Sequence, residues 1–448
     1  MFVGITNAPR TYAWGSTHAI ADLLGRTPSG GPEAELWLGA HAGSPSMIED
    51  PSQVGGYSNL AEWIAAAPEA ALGAGWPTRQ ADAGGAAAGA PAGTETGSPT
   101  QQADAPRLPF LLKILAAGRP LSLQAHPTTE QARAGFELEN EAGIAVDAGN
   151  RNYRDPFHKP ELIFALSDTF EALCGFRPLP EVRGIIAELR LLDLSSDDPQ
   201  AAAIDLFESQ LSHGLRETVD WLLRDGRGGD SGEVEWLVER VVALAAHAEF
   251  LAEGGAAIGY ARELATVRAL AAEYPGDPGI VLAVLLNRVS LKRGEVLYLP
   301  AGNIHAYLSG LGVELMAASD NVLRGGLTPK HIDIEELLAV LDFTAGSAPY
   351  LAPVVLAEGV VVYRPGVTDF ALVHIEADAA ASSATPVTMR QITLSGPAIA
   401  ICTAGGFLVA GSGASRALKR GQAVYVTPDE GTLTFAGSGE VFLAMPGA

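Results

Sequence analysis

The spacing of apolar positions divides the chain into stretches with strand periodicity and one long stretch with helical periodicity. Residues 1–76 mix short alternating apolar segments with turns, and the apolar run at 109–115 has the length and flanks of a buried strand. Between about 179 and 275 apolar positions recur at i, i+4 and i+7, as in Leu215, Val219 and Leu222. The pattern therefore predicts strands, then a series of helices.

Strand periodicity returns from about residue 289, interrupted by one predicted helix over 334–341. Beyond residue 345 the pattern consists of short strands separated by Gly and Pro, which indicates a small barrel or sandwich. The segment 291–298 (LKRGEVLY) is echoed at 418–425 (LKRGQAVY), which predicts a repeated structural element. At the same offset His305 aligns with Thr432, so the second copy would lack the histidine.

Composition separates one further segment from the rest. Residues 78–106 consist largely of Ala, Gly, Thr, Gln and Pro. Such a stretch buries too little apolar surface to offset the entropy lost on ordering. We therefore expect a flexible insertion without a chemical role.

Length and charge limit the function further. A chain of 448 residues is expected to form two or three domains. Its formal net charge of −23 argues against nucleic acid and against anionic membrane surfaces as partners. No apolar run is long enough to span a bilayer, the N-terminus lacks signal-peptide features, and Cys174 and Cys402 are expected to be buried thiols. These features predict a cytoplasmic protein, and any anionic substrate would need a local basic pocket.

Three positions offer groups suited to binding a metal. Gln124 and His126 lie two residues apart in a predicted strand, so their side chains share one face. Glu161 follows a proline and begins the apolar strand 162–166. His305 closes a Pro-x-Gly-x-x-His turn after a strand, which is where cupin-type barrels carry metal ligands. One Gln, two His and one Glu form a nitrogen and oxygen ligand set that suits Zn²⁺, and the lack of nearby cysteine favours a catalytic over a structural site.

Two long segments around these residues match a known family. The first is 153–162 (YRDPFHKPEL), and the second comprises 305–310 (HAYLSG), 313–321 (VELMAASDN) and 323–330 (LRGGLTPK). Shorter matching blocks lie at 12–15 (YAWG), 34–39 (AELWLG) and 121–127 (LSLQAHP). On these residues the chain resembles the type I phosphomannose isomerases over 1–76 and 107–345, and only in outline over 346–448. It departs from the family pattern at Phe157, where Asn is usual, and at Gly325, where Ala is usual.

The resemblance implies a mainly β fold with an α insertion. Residues 1–178 and 276–345 would form a metal-bearing cupin (jelly-roll) barrel, 179–275 an inserted helical domain, and 346–448 a second cupin-like barrel without metal. It implies one zinc ion per chain, with the same ligands that the residue types indicate. The implied site residues are Gln124, His126, Glu161 and His305 for the metal, Arg324, Lys159 and Glu314 for catalysis, and Lys113, Glu35, Lys330 and Trp14 for substrate binding.

The implied reaction interconverts mannose 6-phosphate and fructose 6-phosphate by moving a proton between C1 and C2 through an enediolate. Lys159 and Glu314 both remain candidates for the proton transfer. Arg324 offers a guanidinium fork for the phosphate. The protein is expected to act as a monomer on a small sugar phosphate and to serve GDP-mannose synthesis or glycolysis.

Two other functions use the same fold. A metal-dependent oxygenase would prefer a site of two His and one carboxylate for iron, and the additional Gln124 and the basic loop argue against it. A sugar-phosphate sensor without activity would be expected to have lost a ligand or Arg324, and the sequence retains them all.

Overall fold

The computed structural model describes residues 1–74, 76, 106–229, 231–377 and 390–447. Most of the predicted insertion at 78–106 therefore lies outside the described residues. The described strands are β1 (Phe2–Thr6), β2 (Glu35–Leu38), β3 (Met47–Ile48), β4 (Phe110–Ala117), β5 (Leu123–Ala125), β6 (Glu161–Ala165), β7 (Thr169–Phe176), β8 (Leu286–Lys292), β9 (Val296–Leu299), β10 (His305–Ala317), β11 (Leu323–Gly326), β12 (Val354–Ala357), β13 (Val360–Tyr363), β14 (Ala371–Ala377), β15 (Arg390–Thr393), β16 (Ala398–Ala410), β17 (Ser415–Lys419), β18 (Ala423–Val426) and β19 (Thr432–Met445).

Helices occupy mainly the region between β7 and β8. The described helices are α1 (Ala19–Leu24), α2 (Leu60–Ala66), α3 (Pro68–Leu72), α4 (Thr129–Glu141), α5 (Leu179–Leu194), α6 (Ala201–His213), α7 (Leu215–Asp225), α8 (Glu233–Glu253), α9 (Ala261–Glu273), α10 (Gly279–Leu282) and α11 (Ile334–Val340). The predicted apolar stripe of α7 is buried at Leu215, Val219 and Leu222. Asp333 begins α11 as predicted, with its side chain accepting a hydrogen bond from the Glu336 N–H.

The strands form two sheets. Nine strands, β2 and β4 to β11, make the first, which we call the site sheet, and ten strands, β1, β3 and β12 to β19, make the second, the C-terminal sheet. The prediction of a mainly β fold with helices is therefore confirmed. Among the described helices none is long and apolar enough to cross a membrane.

Strand β10 organises the site sheet. Its first residues pair with β5 and β7, and from Gly310 onward it pairs with β4 and β6. Gly310 has φ of 127°, and a Cβ there would lie 2.7 Å from the ring of Phe170. Only glycine fits this bend, which lets one strand of 13 residues present side chains to both halves of the sheet.

The repeated segment adopts the same structure in both sheets. Each copy is a strand, a three-residue connection that begins with Arg-Gly, and a second strand, with Gly294 at φ of 90° and Gly421 at φ of 83°. The long strands β10 and β19 follow, and they begin at the aligned residues His305 and Thr432. The expectation of only short strands after residue 345 is wrong, because β16 and β19 have 13 and 14 residues. Glycines within both strands look like strand ends in the sequence, but the strands continue through them.

The two sheets pack against each other through an apolar core. Phe164 of β6 contacts Phe442 of β19 edge to face, with ring centroids 4.9 Å apart. His374 of β14 stacks on Phe442 in the same layer. Cys174 and Cys402 are buried free thiols, as predicted. This packing fixes the C-terminal sheet behind the strands that carry the site residues.

Candidate metal centre and substrate cavity

Three of the predicted ligands meet at the ends of neighbouring strands. Glu161 is the first residue of β6, His305 is the first residue of β10, and His126 follows β5. Their ligand atoms lie within 4.8 Å of one another, and no other such group of His, Cys, Asp and Glu occurs among the described residues. The Nε2 atoms of His126 and His305 lie 3.2 and 3.3 Å from the two carboxylate oxygens of Glu161. All three side chains are buried.

Gln124 joins this group from the adjacent strand. It pairs with His305 in the register of β5 and β10, and its Nε2 lies 3.2 Å from the His305 Nε2. The Gln124 amide can also adopt the orientation rotated by 180°, in which its Oε1 faces the same centre. The four predicted ligands therefore converge at one point.

The histidines are held in the form that a metal requires. Nδ1 of His126 lies 2.7 Å from the Asn321 carbonyl oxygen, and Nδ1 of His305 lies 3.0 Å from that of Asn303. Since a carbonyl only accepts, each Nδ1 carries the proton and each Nε2 presents a lone pair to the centre. Burial lowers the pKa of His126 to about 4, which keeps the ring neutral. His126 Nε2 and Glu161 Oε2 are buried without a hydrogen-bond partner, and these residues fit a divalent metal.

A row of charged residues runs across β2, β4 and β10 beside this centre. Lys113 Nζ lies 2.9 Å from Glu314 Oε2 and 3.5 Å from Glu35 Oε1, and all three side chains are buried. Burial opposes the charge on Lys113, yet Glu314 and Glu35 raise its pKa well above the ordinary value. Burial raises the pKa of Glu314, and Lys113 only partly offsets this. Lys159 approaches from the other side, with Nζ 3.3 Å from Glu161 Oε1.

Three cations lie together on the cavity wall, beside Gln124, which pairs with Arg324 in the register of β5 and β11. Arg324 and Lys330 were predicted, and the structure adds Arg154. Burial and Arg154 lower the pKa of Arg324, while Arg324, burial and Arg154 lower that of Lys330. No carboxylate oxygen of the described chain lies within 4.0 Å of their charged nitrogens. Arg154 interacts favourably with Asp320 at longer range, but the three cations also repel one another, and this arrangement favours a bound anion.

One cavity of about 470 Å³ connects the metal ligands, the charged row and the cations. The predicted residues on its wall are Trp14, Glu35, Lys113, Gln124, Lys159, Glu161, Glu314, Arg324 and Lys330. His126 and His305 lie behind this wall, 1% exposed each. The structure thus brings every predicted site residue to a single place.

Sequence reasoning missed several wall residues. Arg154 lies within a segment that carried the family resemblance, and that position was its only signal. Tyr307 is two residues beyond His305 and therefore on the same face of β10, a period-two relation that could have identified it. Asp320 and His331 also line the cavity. Oδ1 of Asp320 lies 3.1 Å from Nε2 of His41. His331 had no informative context in the sequence.

The two departures from the family pattern have structural partners. The guanidinium of Arg107 lies 3.5 Å from the centre of the Phe157 ring, a cation–π contact. A Cβ at Gly325 would lie 3.0 Å from Ile304 Cδ1 and 3.4 Å from Leu123 Cβ. Ile304 and Leu123 are fully buried there, so they leave little room for the usual alanine.

A mainly β scaffold with a buried metal-ligand group and an anion-binding cavity defines a metal-dependent enzyme for small anionic substrates. Comparison with known proteins agrees. The model of the phosphomannose isomerase type I catalytic domain matches residues 91–179. Mannose-6-phosphate isomerase of Escherichia coli is 32% identical over 98% of this chain and 97% of its own length. The chain belongs to the type I phosphomannose isomerases, as the sequence resemblance predicted.

Solved structures support the same assignment. A variant of phosphomannose isomerase from Salmonella typhimurium superposes with a TM-score of 0.79 and 30% identity, with both chains covered completely. A zinc-bound mannose 6-phosphate isomerase superposes with a TM-score of 0.78 and 30% identity, again with both chains fully covered. The prediction of an isomerase is therefore confirmed.

Proposed function

We propose that this chain interconverts mannose 6-phosphate and fructose 6-phosphate, using one zinc ion held by Gln124, His126, Glu161 and His305. The observation that carries the proposal is the single cavity that joins a buried ligand group to a cluster of unpaired cations. A sugar phosphate needs both features, because its reacting oxygens and its phosphate lie at opposite ends. The zinc-bound relative of the same fold supports the choice of metal.

The cation cluster would bind the phosphate. Arg324 offers two parallel N–H donors, and Arg154 and Lys330 add positive charge. Bound there, the phosphate directs C1 and C2 of the sugar toward the metal ligands. Trp14, which stacks with Tyr12 at a centroid distance of 5.8 Å, would present an aromatic surface to the sugar ring.

The charged row would move the proton between C1 and C2. We assign proton transfer to Glu314, because it lies in the charged row on the cavity wall and burial raises its pKa above the ordinary value, which makes its carboxylate a stronger base. Lys113, 2.9 Å away, stabilises the ionised form. Lys159 would stabilise the negative charge that develops on the reacting oxygens. Zinc, when bound, would supply a Lewis acid for those oxygens.

The finer architecture is also a proposal. We infer that the site sheet is a metal-bearing cupin barrel made of residues 1–178 and 276–345, and that 346–448 forms a second one. The equivalent Arg-Gly turns support this inference. Thr432 stands at the start of β19 where His305 stands at the start of β10, and this replacement is our ground for proposing that the second barrel carries no metal. We further propose that residues 179–275 form the helical domain.

We also propose that the protein is a cytoplasmic monomer. It would supply mannose 6-phosphate for GDP-mannose synthesis or convert it to fructose 6-phosphate for glycolysis.

The test is to remove metal with a chelator and to assay conversion of mannose 6-phosphate before and after Zn²⁺ is restored. We expect activity to disappear and to return with about one zinc per chain. Arg324→Gln should retain full zinc content while losing activity, which separates metal binding from substrate binding. Zinc-loaded, folded protein without isomerase activity would overturn the proposal.

A further inference from the structure

The C-terminal sheet reaches the active-site loop through one buried carboxylate. Asp369 lies in the loop between β13 and β14, and its Oδ2 is 2.8 Å from Nε2 of His158. The Asp369 side chain is 8% exposed and that of His158 is 27% exposed. His158 belongs to the segment that leads directly into β6 and carries Lys159 and Glu161.

The side chains of this segment point in two directions. Lys159 and Glu161 line the cavity, whereas His158 does not line it and turns toward the C-terminal sheet. The hydrogen bond that holds His158 therefore restricts how the backbone of residues 158–161 can rotate about its own axis. That rotation determines where the Lys159 ammonium points.

A second cation influences the same region of the loop. Arg107, which stacks over Phe157, donates a hydrogen bond to the Ala318 carbonyl oxygen at 3.0 Å. Burial lowers the pKa of Arg107, and the charges of Asp369 and Asp155 oppose this shift. Asp369 thus accepts a hydrogen bond from His158 and lies within the electrostatic reach of Arg107, which contacts Phe157 next to His158. Loss of a buried carboxylate with these partners would free the His158 side chain.

We propose that Asp369 is a positioning residue, through which the C-terminal sheet holds His158 so that Lys159 faces the reacting oxygens. This inference rests on the role proposed above for Lys159. It assigns to the C-terminal sheet a direct contribution to the active site of the other sheet. Asp369 itself would not touch the substrate.

The test compares Asp369→Ala and Asp369→Asn in the zinc-loaded full-length protein. For Asp369→Ala we expect kcat to fall by about 10-fold or more, since a small misplacement of a catalytic group is costly, with KM changed by less than about 3-fold. Zinc content should stay at the wild-type level. Asp369→Asn should recover part of kcat, because its amide oxygen can still accept from the His158 ring.

The matched control is Arg293→Gln, which breaks another ion pair between the sheets. Arg293 Nη2 lies 2.7 Å from Glu440 Oε1, and neither residue belongs to the cavity wall. We expect this variant to lower the melting temperature while kcat stays at the wild-type value. Equal loss of kcat in Arg293→Gln and Asp369→Ala would overturn the proposal, because general loosening of the sheets would then explain both.

A third variant, Lys159→Met, separates this inference from the proposed function. An inactive Lys159→Met together with a fully active, folded Asp369→Ala would overturn only the positioning role. A fully active Lys159→Met would overturn the role of Lys159 and the inference with it. Loss of kcat in both, with Arg293→Gln active, is the expected result.

Discussion

At the scale of single residues, the charged row beside the metal ligands holds two carboxylates and one ammonium almost out of contact with water. Lys113 touches both Glu314 and Glu35, so one positive charge compensates two negative ones. Burial raises the free energy of each charged form, and the pKa of Glu314 is raised as a result. A carboxyl group in this state takes up and releases protons closer to neutral pH than an exposed one.

The first prediction concerns the pH dependence of kcat. Glu314 must be ionised to accept a proton, so activity should fall as pH falls through its raised pKa, above the ordinary 4.5. Lys113 lowers the pKa of Glu314, and Lys113→Met should therefore move the acidic limb of the profile to higher pH. A pH profile of kcat for wild type and variant measures the shift. Lys292→Met, at an exposed position, is the control and should leave the pH profile unchanged. An acidic limb that stays at the wild-type pH in Lys113→Met would contradict the assignment of Glu314 as the base.

The second prediction concerns phosphate recognition. Arg324→Lys keeps the positive charge but loses the paired N–H donors, so KM for mannose 6-phosphate should rise by about 10- to 100-fold. We expect kcat to change by less than about 3-fold, because a group that binds the phosphate contributes equally to the ground state and the transition state. Inhibition by inorganic phosphate should weaken in parallel. Arg119→Lys, at an exposed position, should change none of these values, and an unchanged KM in Arg324→Lys would place the phosphate elsewhere.

At the scale of elements, helix α4 supports the loop that carries Arg154 and Lys159. A capping box begins the helix, in which Thr128 and Gln131 each bond the other's backbone N–H. Gly135 then lets the ring of Tyr153 pack directly on the helix. The Tyr153 hydroxyl in turn donates to Glu336 of α11. The loop is thus clamped between two helices next to the cavity.

The third prediction tests this clamp. A Cβ at Gly135 would lie 2.2 Å from a ring carbon of Tyr153, so Gly135→Ala must displace a buried ring. Alanine gains about 1 kcal/mol in helix propensity, but overpacking costs about 1–3 kcal/mol, so we expect net destabilisation. KM should also rise, because Arg154 follows Tyr153 directly. Urea unfolding measures the change in the free energy of unfolding. The control is Gly31→Ala, since no atom lies within 4 Å of a Cβ added at Gly31. A Gly135→Ala variant more stable than the wild type would contradict the clamp.

At the scale of the whole molecule, the two sheets share one apolar core, and the charged contacts between them lie at its edge. Phe164 and Phe442 occupy that core, while the Arg293–Glu440 ion pair and the His158–Asp369 hydrogen bond join the sheets at its edge. Apolar packing therefore stabilises the association of the two sheets, and the polar contacts fix the orientation of one sheet relative to the other.

The fourth prediction tests that association. Phe442→Ala should lower the free energy of unfolding by about 3–5 kcal/mol, because a large buried ring leaves a cavity that relaxes only partly. The loss should appear equally when unfolding is followed by circular dichroism and by isomerase activity. Phe250→Ala, at a helix position 69% exposed, should change stability by less than about 0.5 kcal/mol. Unfolding of the C-terminal sheet alone, with activity retained, would show that the sheets do not depend on each other.

Local patterns in the sequence accounted for much of the fold. The stripe of α7, the start of α11 at Asp333 and the two Arg-Gly turns all depend on neighbours in the chain, and each is found as expected. The lengths of β16 and β19 could not be read in the same way. A glycine inside a strand and a glycine at its end look alike until the partner strands are known.

The ligand set was likewise within reach of the sequence, because residue type and spacing select a metal by local chemistry. Arg154 and Asp369 were not. Arg154 acts through its distance from Arg324 and Lys330, and Asp369 acts through a partner 211 positions away in the chain. The sequence by itself determined which regions form strands or helices and which residue types are offered as ligands. Only the tertiary structure decided which charges share a buried cavity, since electrostatic interactions depend on distance and burial, and neither is encoded by position along the chain.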